Sequence, residues 1–381
     1  MKNMKHVLSI LSLVVLTACG GGSGGDNIPP TATVIKGVAS KGLINKGTVN
    51  VFALNENGSK GALLGSGSTD DSGAYNISIG SYTGSVLVEA YGGYTDEATG
   101  MPAFVPASAP LRAALANAVG TVSLSVTPLT DLAVREAGTL TKENITIANT
   151  VVSNIFKIDV TTTAPAAPTA AAFNADTTTQ AQKDYALALA AVSQLMQTGD
   201  NDLATTLTNL SSGIGQAGMT MQTIATFTAA AKGFIQDNPN NLTGVASIAG
   251  TSLQTIGSTA MLSVVLQGSG AVSVKGVQGI ITLPSGVTMQ ADTTGKVTNG
   301  ISTPASGTLD CKYSAVSNGT PASVTFGYIS SGNLTAGDLI ILTVNISPGT
   351  SVPAVNAFAI SSSKLVDADG VVVSSASLAL R

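Results

Sequence analysis

Hydrophobic and polar residues alternate along much of the first third of this chain. Thr48–Val51 and Tyr75–Ile79 alternate with a period of two, which is typical of strands with one buried face. The pattern predicts strands at residues 33–38, 47–54, 74–79, 85–91 and 120–126. Several short strands separated by Asn, Gly, Asp and Ser predict a small antiparallel β-sandwich over residues 31–126.

The hydrophobic period changes to that of a helix between residues 127 and 267. Thr127-Pro128 has the form of an N-cap followed by proline in the first turn, and a second helix is predicted after Thr141. Further helices are predicted at residues 183–197, 202–210 and 221–235, with a surface connection over 159–182. This region is therefore predicted to be a small helical bundle.

Strand-like alternation returns over residues 268–381. It predicts strands at 271–283, 308–313, 322–329, 339–346, 357–360, 364–367 and 371–380, with a turn at Asp367–Gly370. Seven strands in such a length favour a second sandwich. The predicted fold class is multidomain α+β, with two antiparallel β-sandwiches separated by a small helical bundle.

The N-terminus has the layout of an export signal. Lys2 and Lys5 precede an apolar run over residues 7–16, which is too short to span a bilayer, since about 20 apolar residues are needed. Residues 16–20 (Leu-Thr-Ala-Cys-Gly) resemble the lipobox of bacterial lipoproteins. The resemblance implies cleavage after residue 18 and acylation of Cys19. The alternative is an ordinary signal peptide with a chance cysteine.

Residues 19–30 are rich in glycine and end in Pro29-Pro30, which predicts a flexible tether between the lipid and the folded part. In the lipoproteins that this chain resembles, an aspartate directly after the acylated cysteine retains the protein at the inner membrane. Gly20 stands at that position here. The expected location is the outer membrane, on either its periplasmic or its surface face.

Composition narrows the possible chemistry. Without Lys2 and Lys5 the chain keeps 15 of its 17 basic residues against 21 acidic ones, a net charge of −6, and no basic run suggests nucleic acid as a partner. The single histidine is His6, inside the signal. The exported part therefore lacks Ser/His/Asp and Cys/His systems and histidine metal or haem sites, and no cofactor is predicted. Cys311 is expected to be buried on one strand face with Leu309 and Tyr313 rather than to be a reactive thiol.

Two family resemblances can be stated from residue patterns. Residues 37–43, 47–52 and 69–75 resemble the carboxypeptidase-regulatory, transthyretin-like sandwich family, with Asp71 and Gly73 in a tight hairpin turn and Tyr75 pointing inward. In that family the domain is usually a spacer or accessory fold. Residues 276–284, 324–338 and 357–370 are similar to cohesin domains and related carbohydrate-binding modules, which are non-catalytic and bind protein partners or serve as display modules.

Two clusters are candidate sites, each with a simpler explanation. Asp367 and Asp369 could be half of a calcium site, but a glycine turn without metal explains the same residues. Tyr91 and Tyr94, on a predicted loop, could stack on sugar rings. One inward tyrosine beside a solvated acidic turn is the competing interpretation.

These features predict a membrane-anchored extracytoplasmic lipoprotein that is not an enzyme and that binds protein or polysaccharide through its C-terminal domain. One alternative is a structural envelope protein that assembles through sandwich edges. Another is an accessory factor or enzyme of polysaccharide degradation, since paired carboxylates can hydrolyse glycosides without histidine.

Overall fold

The computed structural model describes residues 32–268, 273–347 and 350–381. The predicted signal, Cys19 and the tether lie outside the described residues. The described part is β-rich, with several sheets and six α-helices. None of its helices is long and apolar enough to cross a membrane.

The first region contains eight strands in two sheets. They are β1 (Val34–Val38), β2 (Thr48–Leu54), β3 (Lys60–Ser68), β4 (Ala74–Ser78), β5 (Gly84–Thr95), β6 (Pro102–Val105), β7 (Leu111–Ala118) and β8 (Thr121–Ser123). One sheet has the order β4-β1-β8 and the other β3-β2-β5-β6, with β7 also pairing β5. Both sheets contribute to one hydrophobic cluster that includes Ile35, Val49 and Val88.

Two details of this region differ from the sequence predictions. The sheet is not wholly antiparallel, because β1 and β8 pair in parallel. The hairpin turn before β4 depends on Asp70 rather than on Asp71, since Asp70 Oδ1 accepts hydrogen bonds from the main-chain N–H groups of Ser72 and Ala74. Gly73 adopts a φ of 76°, and Tyr75 is buried, as predicted.

The middle region contains α1 (Pro128–Ala137), α2 (Lys142–Phe156), α3 (Ala170–Phe173), α4 (Gln180–Gly199), α5 (Leu203–Ser211) and α6 (Met221–Asp237). Each helix begins after a Thr or Asp whose side chain accepts a hydrogen bond from the main chain of the first turn. The predicted caps Thr127 and Thr141 are confirmed. Two-residue strands β9 (Ile214–Gly215) and β10 (Gly218–Met219) form a hairpin between α5 and α6.

In the last region, the described residues form nine strands in two antiparallel sheets. They are β11 (Thr259–Gly268), β12 (Gly276–Thr282), β13 (Val287–Thr288), β14 (Ile301–Ser302), β15 (Gly307–Ser314), β16 (Ser323–Ser330), β17 (Gly337–Ile346), β18 (Ala359–Val366) and β19 (Ala376–Leu380). One sheet has the order β13-β17-β11-β19, with β14 also pairing β17, and the other β15-β16-β12-β18.

The strand β11 corrects the prediction that the helical region extends to residue 267. Its alternate residues Ala260, Leu262 and Val264 are fully buried. Residues 260–266 are apolar apart from Ser263, so their period does not distinguish a strand from a buried helix. Pairing with β17 and β19 decides its conformation.

Residues from Ala32 to Arg381 form one unit, because the helices pack on the strands before and after them. The Tyr185 hydroxyl of α4 donates to the Val160 carbonyl and bonds the Thr127 hydroxyl at the start of α1. On the other side, the Thr343 hydroxyl of β17 donates to the carbonyl of Ala217. A continuous hydrophobic cluster runs through all three regions.

Candidate functional site

The outward face of the sheet β15-β16-β12-β18 brings together residues that are far apart in sequence. Along β16 the buried positions Val324, Phe326 and Tyr328 alternate with outward-facing ones. The strand register places Asp310, Gly327, Gln278 and Lys364 side by side in one row across the four strands. The next row contains Thr308, Ile329, Gly276 and Val366.

Two glycines in these rows form the floor of a groove, which we call the trough. It has a volume of about 450 Å³ and is lined by Gln278, Thr308, Asp310, Ile329, Lys364 and Gly370 together with both glycines. A Cβ atom on Gly327 would meet no atom within 4 Å, so the floor is open there. A Cβ on Gly276 would lie 2.9 Å from Val366 Cγ2, so a larger residue there would require the Val366 side chain to shift.

The polar side chains of the trough have unused hydrogen-bonding capacity. Within the described residues, the side chains of Gln278, Asp310 and Lys364 form no hydrogen bond or salt bridge. Asp310 and Lys364 lie three strand spacings apart, or about 14 Å at the usual separation of neighbouring strands. Beside them Ile329 is 67% exposed and supplies an apolar surface.

The predicted turn at Asp367–Gly370 adjoins the trough. Asp367 Oδ1 accepts hydrogen bonds from the main-chain N–H groups of Asp369 and Val371, and Gly370 has a φ of 78°. These bonds occupy Asp367 Oδ1 within the turn itself. The part of the chain that the structure describes contains no group of three or more His, Cys, Asp or Glu placed to hold a metal.

Tyr91 and Tyr94 do not lie on a loop, contrary to the sequence prediction. Both belong to the long strand β5. Tyr91 is half-buried and Tyr94 is only 7% exposed, so they do not form a flat exposed pair. The ring of Tyr94 instead faces a buried ammonium, with its centroid 5.1 Å from Lys41 Nζ.

Lys41 is the centre of a buried charged cluster that the sequence did not reveal. Its Nζ lies 3.1 Å from Asp96 Oδ2 and 3.2 Å from Glu97 Oε2, and it also donates to the hydroxyl of Ser193 on α4. The Ser193 hydroxyl donates to Glu97 Oε2 over 2.6 Å. This network, which we call the Lys41 cluster, ties the first region to the helices.

The electrostatics of the Lys41 cluster favour its ionised form. Burial alone lowers the pKa of Lys41, but the neighbouring charge of Glu97, with Tyr94 and Asp96, raises this pKa above its ordinary value. Burial raises the pKa of Asp96, yet Lys41 and main-chain donors hold it below its ordinary value. The lysine is therefore a cation at neutral pH and cannot remove a proton from Ser193.

A cavity of about 600 Å³ lies beside the Lys41 cluster and is lined in part by Tyr94, Asp96 and Glu97. Neither Lys41 nor Ser193 lines it. The carboxylates at its wall are already bonded: Glu97 Oε1 accepts from the Gly42 N–H over 2.7 Å, and Asp96 Oδ1 accepts from the N–H groups that follow it. These contacts indicate that the cluster stabilises the fold.

Cys311 is buried on the inward face of β15, as predicted, at 2% exposure. Leu309 and Tyr313, on the same face, are half-buried. Burial, with a smaller contribution from the Asp310 charge, raises the pKa of the Cys311 thiol to about 12. The thiol is therefore neutral and inaccessible, which does not suit a nucleophile.

Comparison with known proteins adds little to this geometry. No protein-family model matches the chain, and no curated protein sequence matches it. The crystal structure of a 9R-lipoxygenase from Cyanothece PCC8801 is matched with a TM-score of 0.15 and 9% identity, over 92% of this chain and 44% of that chain. A similarity at this level carries no argument about fold or function.

Proposed function

We propose that this protein is a lipid-anchored, non-catalytic binding module of the bacterial outer membrane, and that the trough binds a polysaccharide. The observation that carries this proposal is the row Asp310, Gly327, Gln278 and Lys364 on one outward sheet face. It combines unused polar side chains with a floor that lacks side chains.

The chemistry of the trough suits a glycan chain. Carboxylate, amide, ammonium and hydroxyl groups can bond sugar hydroxyls as donors or acceptors. The exposed Ile329 side chain can contact the C–H face of a sugar ring. One negative and one positive side chain leave the trough without net charge, which favours a neutral polymer over a strongly anionic one.

The remaining regions are proposed to support this surface. In this proposal β1–β8 form a transthyretin-like sandwich that acts as a spacer, and β11–β19 form a cohesin-like sandwich. The presence of two sheets in each of these regions supports both assignments. The lipobox-like residues 16–20 support attachment through Cys19, and Gly20 supports the outer membrane.

A non-catalytic role is supported by the environment of two side chains that could act as nucleophiles, Ser193 and Cys311. The Ser193 hydroxyl is bonded to an ammonium and a carboxylate in the core, and the Cys311 thiol is buried and neutral. Neither borders the trough.

The test is a glycan array probed with residues 19–381 carrying Cys19→Ser, which lack the predicted signal and the acylated cysteine and keep the whole compact unit, β11 included. Gly327→Gln fills the trough with a side chain, whereas Gly332→Gln is the matched control, because a Cβ on Gly332 also meets nothing within 4 Å. We expect binding to a subset of polysaccharides that Gly327→Gln weakens at least about tenfold and Gly332→Gln preserves. Equal binding by both variants would contradict the proposal.

A second candidate function is self-assembly in the envelope. Val316, Val371 and Val372 are each at least 60% exposed in the C-terminal region, and exposed apolar residues near sheet edges favour protein contacts. Sedimentation of the Cys19→Ser chain decides between the two. Concentration-dependent association that Val371→Ser with Val372→Ser abolishes would support assembly, and a monomer would exclude it.

A further inference from the structure

The cavity of about 600 Å³ beside the Lys41 cluster, which we call the Tyr94 cavity, contains an unpartnered polar group. Tyr94 lines this cavity and is only 7% exposed. Its hydroxyl forms no hydrogen bond with any other described residue, yet it is not among the unpartnered side-chain atoms that lack accessible surface. The hydroxyl is therefore unpartnered inside a buried residue and accessible to a ligand.

The other buried tyrosines show that this is an exception. The hydroxyls of Tyr75, Tyr185 and Tyr328 each donate to a main-chain carbonyl. A buried tyrosine normally has such a partner, because its hydroxyl loses hydrogen bonds to bulk water on folding. The Tyr94 hydroxyl is the one among the chain's buried tyrosines for which the described residues supply no partner. It points to a ligand that completes the site.

Electrostatics place this hydroxyl on the side of the Lys41 cluster. Tyr94 also lines a neighbouring cavity of about 630 Å³, whose wall includes Arg112 and Arg135. Burial raises the pKa of Tyr94, and the charges that act on this pKa are those of the Lys41 cluster. The two arginines are not among them. The phenol therefore keeps its proton at neutral pH and lies closer to the Tyr94 cavity than to the arginines.

The charge at the wall selects a class of ligand. Asp71, Asp96 and Glu97 line the Tyr94 cavity, and none of the described residues that line it is a lysine or an arginine. The Lys41 cluster contains two carboxylates and one ammonium, which leaves a net charge of −1 in a buried setting. A cation in the cavity would offset this charge, whereas an anion would be repelled.

The carboxylates have the capacity to bond such a cation. Asp96 Oδ2 accepts a hydrogen bond only from Lys41 among the described residues, and Glu97 Oε1 accepts one only from the Gly42 N–H. Because each carboxylate oxygen has two lone pairs, each of these atoms can accept a further hydrogen bond. The bonds that hold the cluster together therefore remain in place when a ligand binds.

The rest of the lining favours an apolar body on that cation. Leu43, Phe234 and Leu242 contribute apolar side chains to the wall. Leu242 is 65% exposed while it lines the cavity, so it borders the opening to solvent. The volume falls within the range of about 300–1,000 Å³ that is usual for small-molecule sites. It can hold a molecule with a single ring and a short side chain.

We propose that the Tyr94 cavity binds a small primary amine with an apolar or aromatic body. The ammonium donates to the Tyr94 hydroxyl and lies beside the carboxylates of Asp96 and Glu97, while the body of the ligand contacts Phe234 and Leu242. This site is separate from the trough, so the proposal does not depend on polysaccharide binding there.

The experiment is titration calorimetry and saturation-transfer NMR on residues 19–381 carrying Cys19→Ser. The probe is 2-phenylethylamine, with 2-phenylethanol as its neutral counterpart and 3-phenylpropanoate as an anion of similar shape. Tyr94→Phe removes the unpartnered hydroxyl and keeps the ring. Tyr91→Phe is the matched control, because Tyr91 lies on the same strand and its hydroxyl also forms no hydrogen bond with a described residue, but it does not line the cavity.

A second variant tests the charge without touching a buried residue. Leu242→Lys adds a positive charge at the opening of the cavity. Val119→Lys is its control, because Val119 is also exposed, at 54%, and lies outside the cavity.

We expect the amine to bind at least about tenfold more tightly than the alcohol or the anion. Tyr94→Phe and Leu242→Lys should each weaken amine binding at least about fivefold, and Tyr91→Phe, Val119→Lys and Gly327→Gln should leave it unchanged. The melting temperature of Tyr94→Phe should equal or exceed that of the parent chain, because no hydrogen bond between described residues is lost.

Four results would overturn the proposal. They are no binding of the amine at about 10 mM, equal binding of the alcohol, unchanged binding by Tyr94→Phe, and tighter binding of the anion. The last of these would assign the ligand to the neighbouring cavity with its two arginines.

Discussion

Replacing Lys41 by methionine tests whether the Lys41 cluster stabilises the fold. Methionine keeps the length of the side chain but removes its charge, which leaves the carboxylates of Asp96 and Glu97 buried without their cation. Their oxygens lie 3.1 and 3.2 Å from Nζ in the native protein. Breaking a buried pair by removing one partner typically costs about 3–5 kcal/mol. We expect a loss in that range, since Lys41 is fully buried and also bonds Ser193.

The assay is urea denaturation of the Cys19→Ser chain at pH 7, followed by circular dichroism and by fluorescence of its seven tyrosines, as the chain has no tryptophan. Lys36→Met is the matched control, because Lys36 is exposed on β1 and forms no salt bridge with a described residue. The control should change stability by less than about 0.5 kcal/mol. Adding Glu97→Gln to Lys41→Met should recover part of the loss, because one uncompensated charge disappears.

The pH dependence of the free energy of unfolding tests the same explanation independently. In the native protein the pKa of Asp96 is lowered, so its contribution to stability is present at neutral pH and lost as pH falls through that pKa. The pKa of Lys41 is raised, so its contribution persists until pH rises through that value. In Lys41→Met, protonation of the two carboxylates removes uncompensated buried charge and therefore stabilises the fold. The difference in free energy of unfolding between the native protein and Lys41→Met should therefore become smaller as the pH is lowered. A loss of stability below about 1 kcal/mol at pH 7, or a difference that becomes larger in acid, would refute this reasoning.

Four further predictions concern the core, a helix cap, the thiol and the anchor. Gly37→Ala should destabilise the fold by about 3 kcal/mol or more, because its Cβ would lie 2.0 Å from a main-chain oxygen, whereas Gly327→Ala should have little effect on thermal unfolding. Thr127→Ala should cost about 1–2 kcal/mol in urea denaturation, since it removes the N-cap of α1. Iodoacetamide should alkylate Cys311 slowly at pH 8 in the folded chain and rapidly in urea, as measured by mass spectrometry; equal rates would contradict its burial and raised pKa. The protein purified from its native membrane should begin at an acylated Cys19, and an unacylated chain with residues 1–18 intact would exclude the lipoprotein assignment.

The helices were predicted well because their signals are local. A threonine or aspartate before a 3.6-residue apolar period specifies a helix start within one turn, and Thr127, Thr141 and Asp202 all act as N-caps. The connection over residues 159–182 contains the short helix α3 and the start of α4, which the prediction missed. Such boundaries depend on packing more than on the local period.

The strands β3 and β7 escaped prediction for a different reason. β3 (Lys60–Ser68) is rich in glycine and serine and has no buried face, and β7 (Leu111–Ala118) is rich in alanine. Neither shows a clear period of two. Both become strands because neighbouring strands supply hydrogen bonds, β2 for β3 and β5 for β7.

The candidate sites depended even more on long-range contacts. Asp310 and Lys364 are polar residues without any local signal, and only the register of four strands places them in one row. Lys41 is separated from Ser193 by 152 positions, so its burial cannot be deduced from its neighbours in sequence. The predicted loop around Tyr94 was wrong because β5 continues through Gly92 and Gly93 and pairs with β6 there.

By itself, the sequence determined the helix starts, most strands, the burial of Cys311 and the absence of histidine beyond residue 6, because each depends on residue type and short-range period. The tertiary structure alone decided which polar residues are buried in pairs and which are exposed without a hydrogen-bond partner among the described residues. The physical reason is that desolvation and pairing are properties of the neighbours in space. In this fold those neighbours come from strands and helices separated by tens to more than a hundred residues.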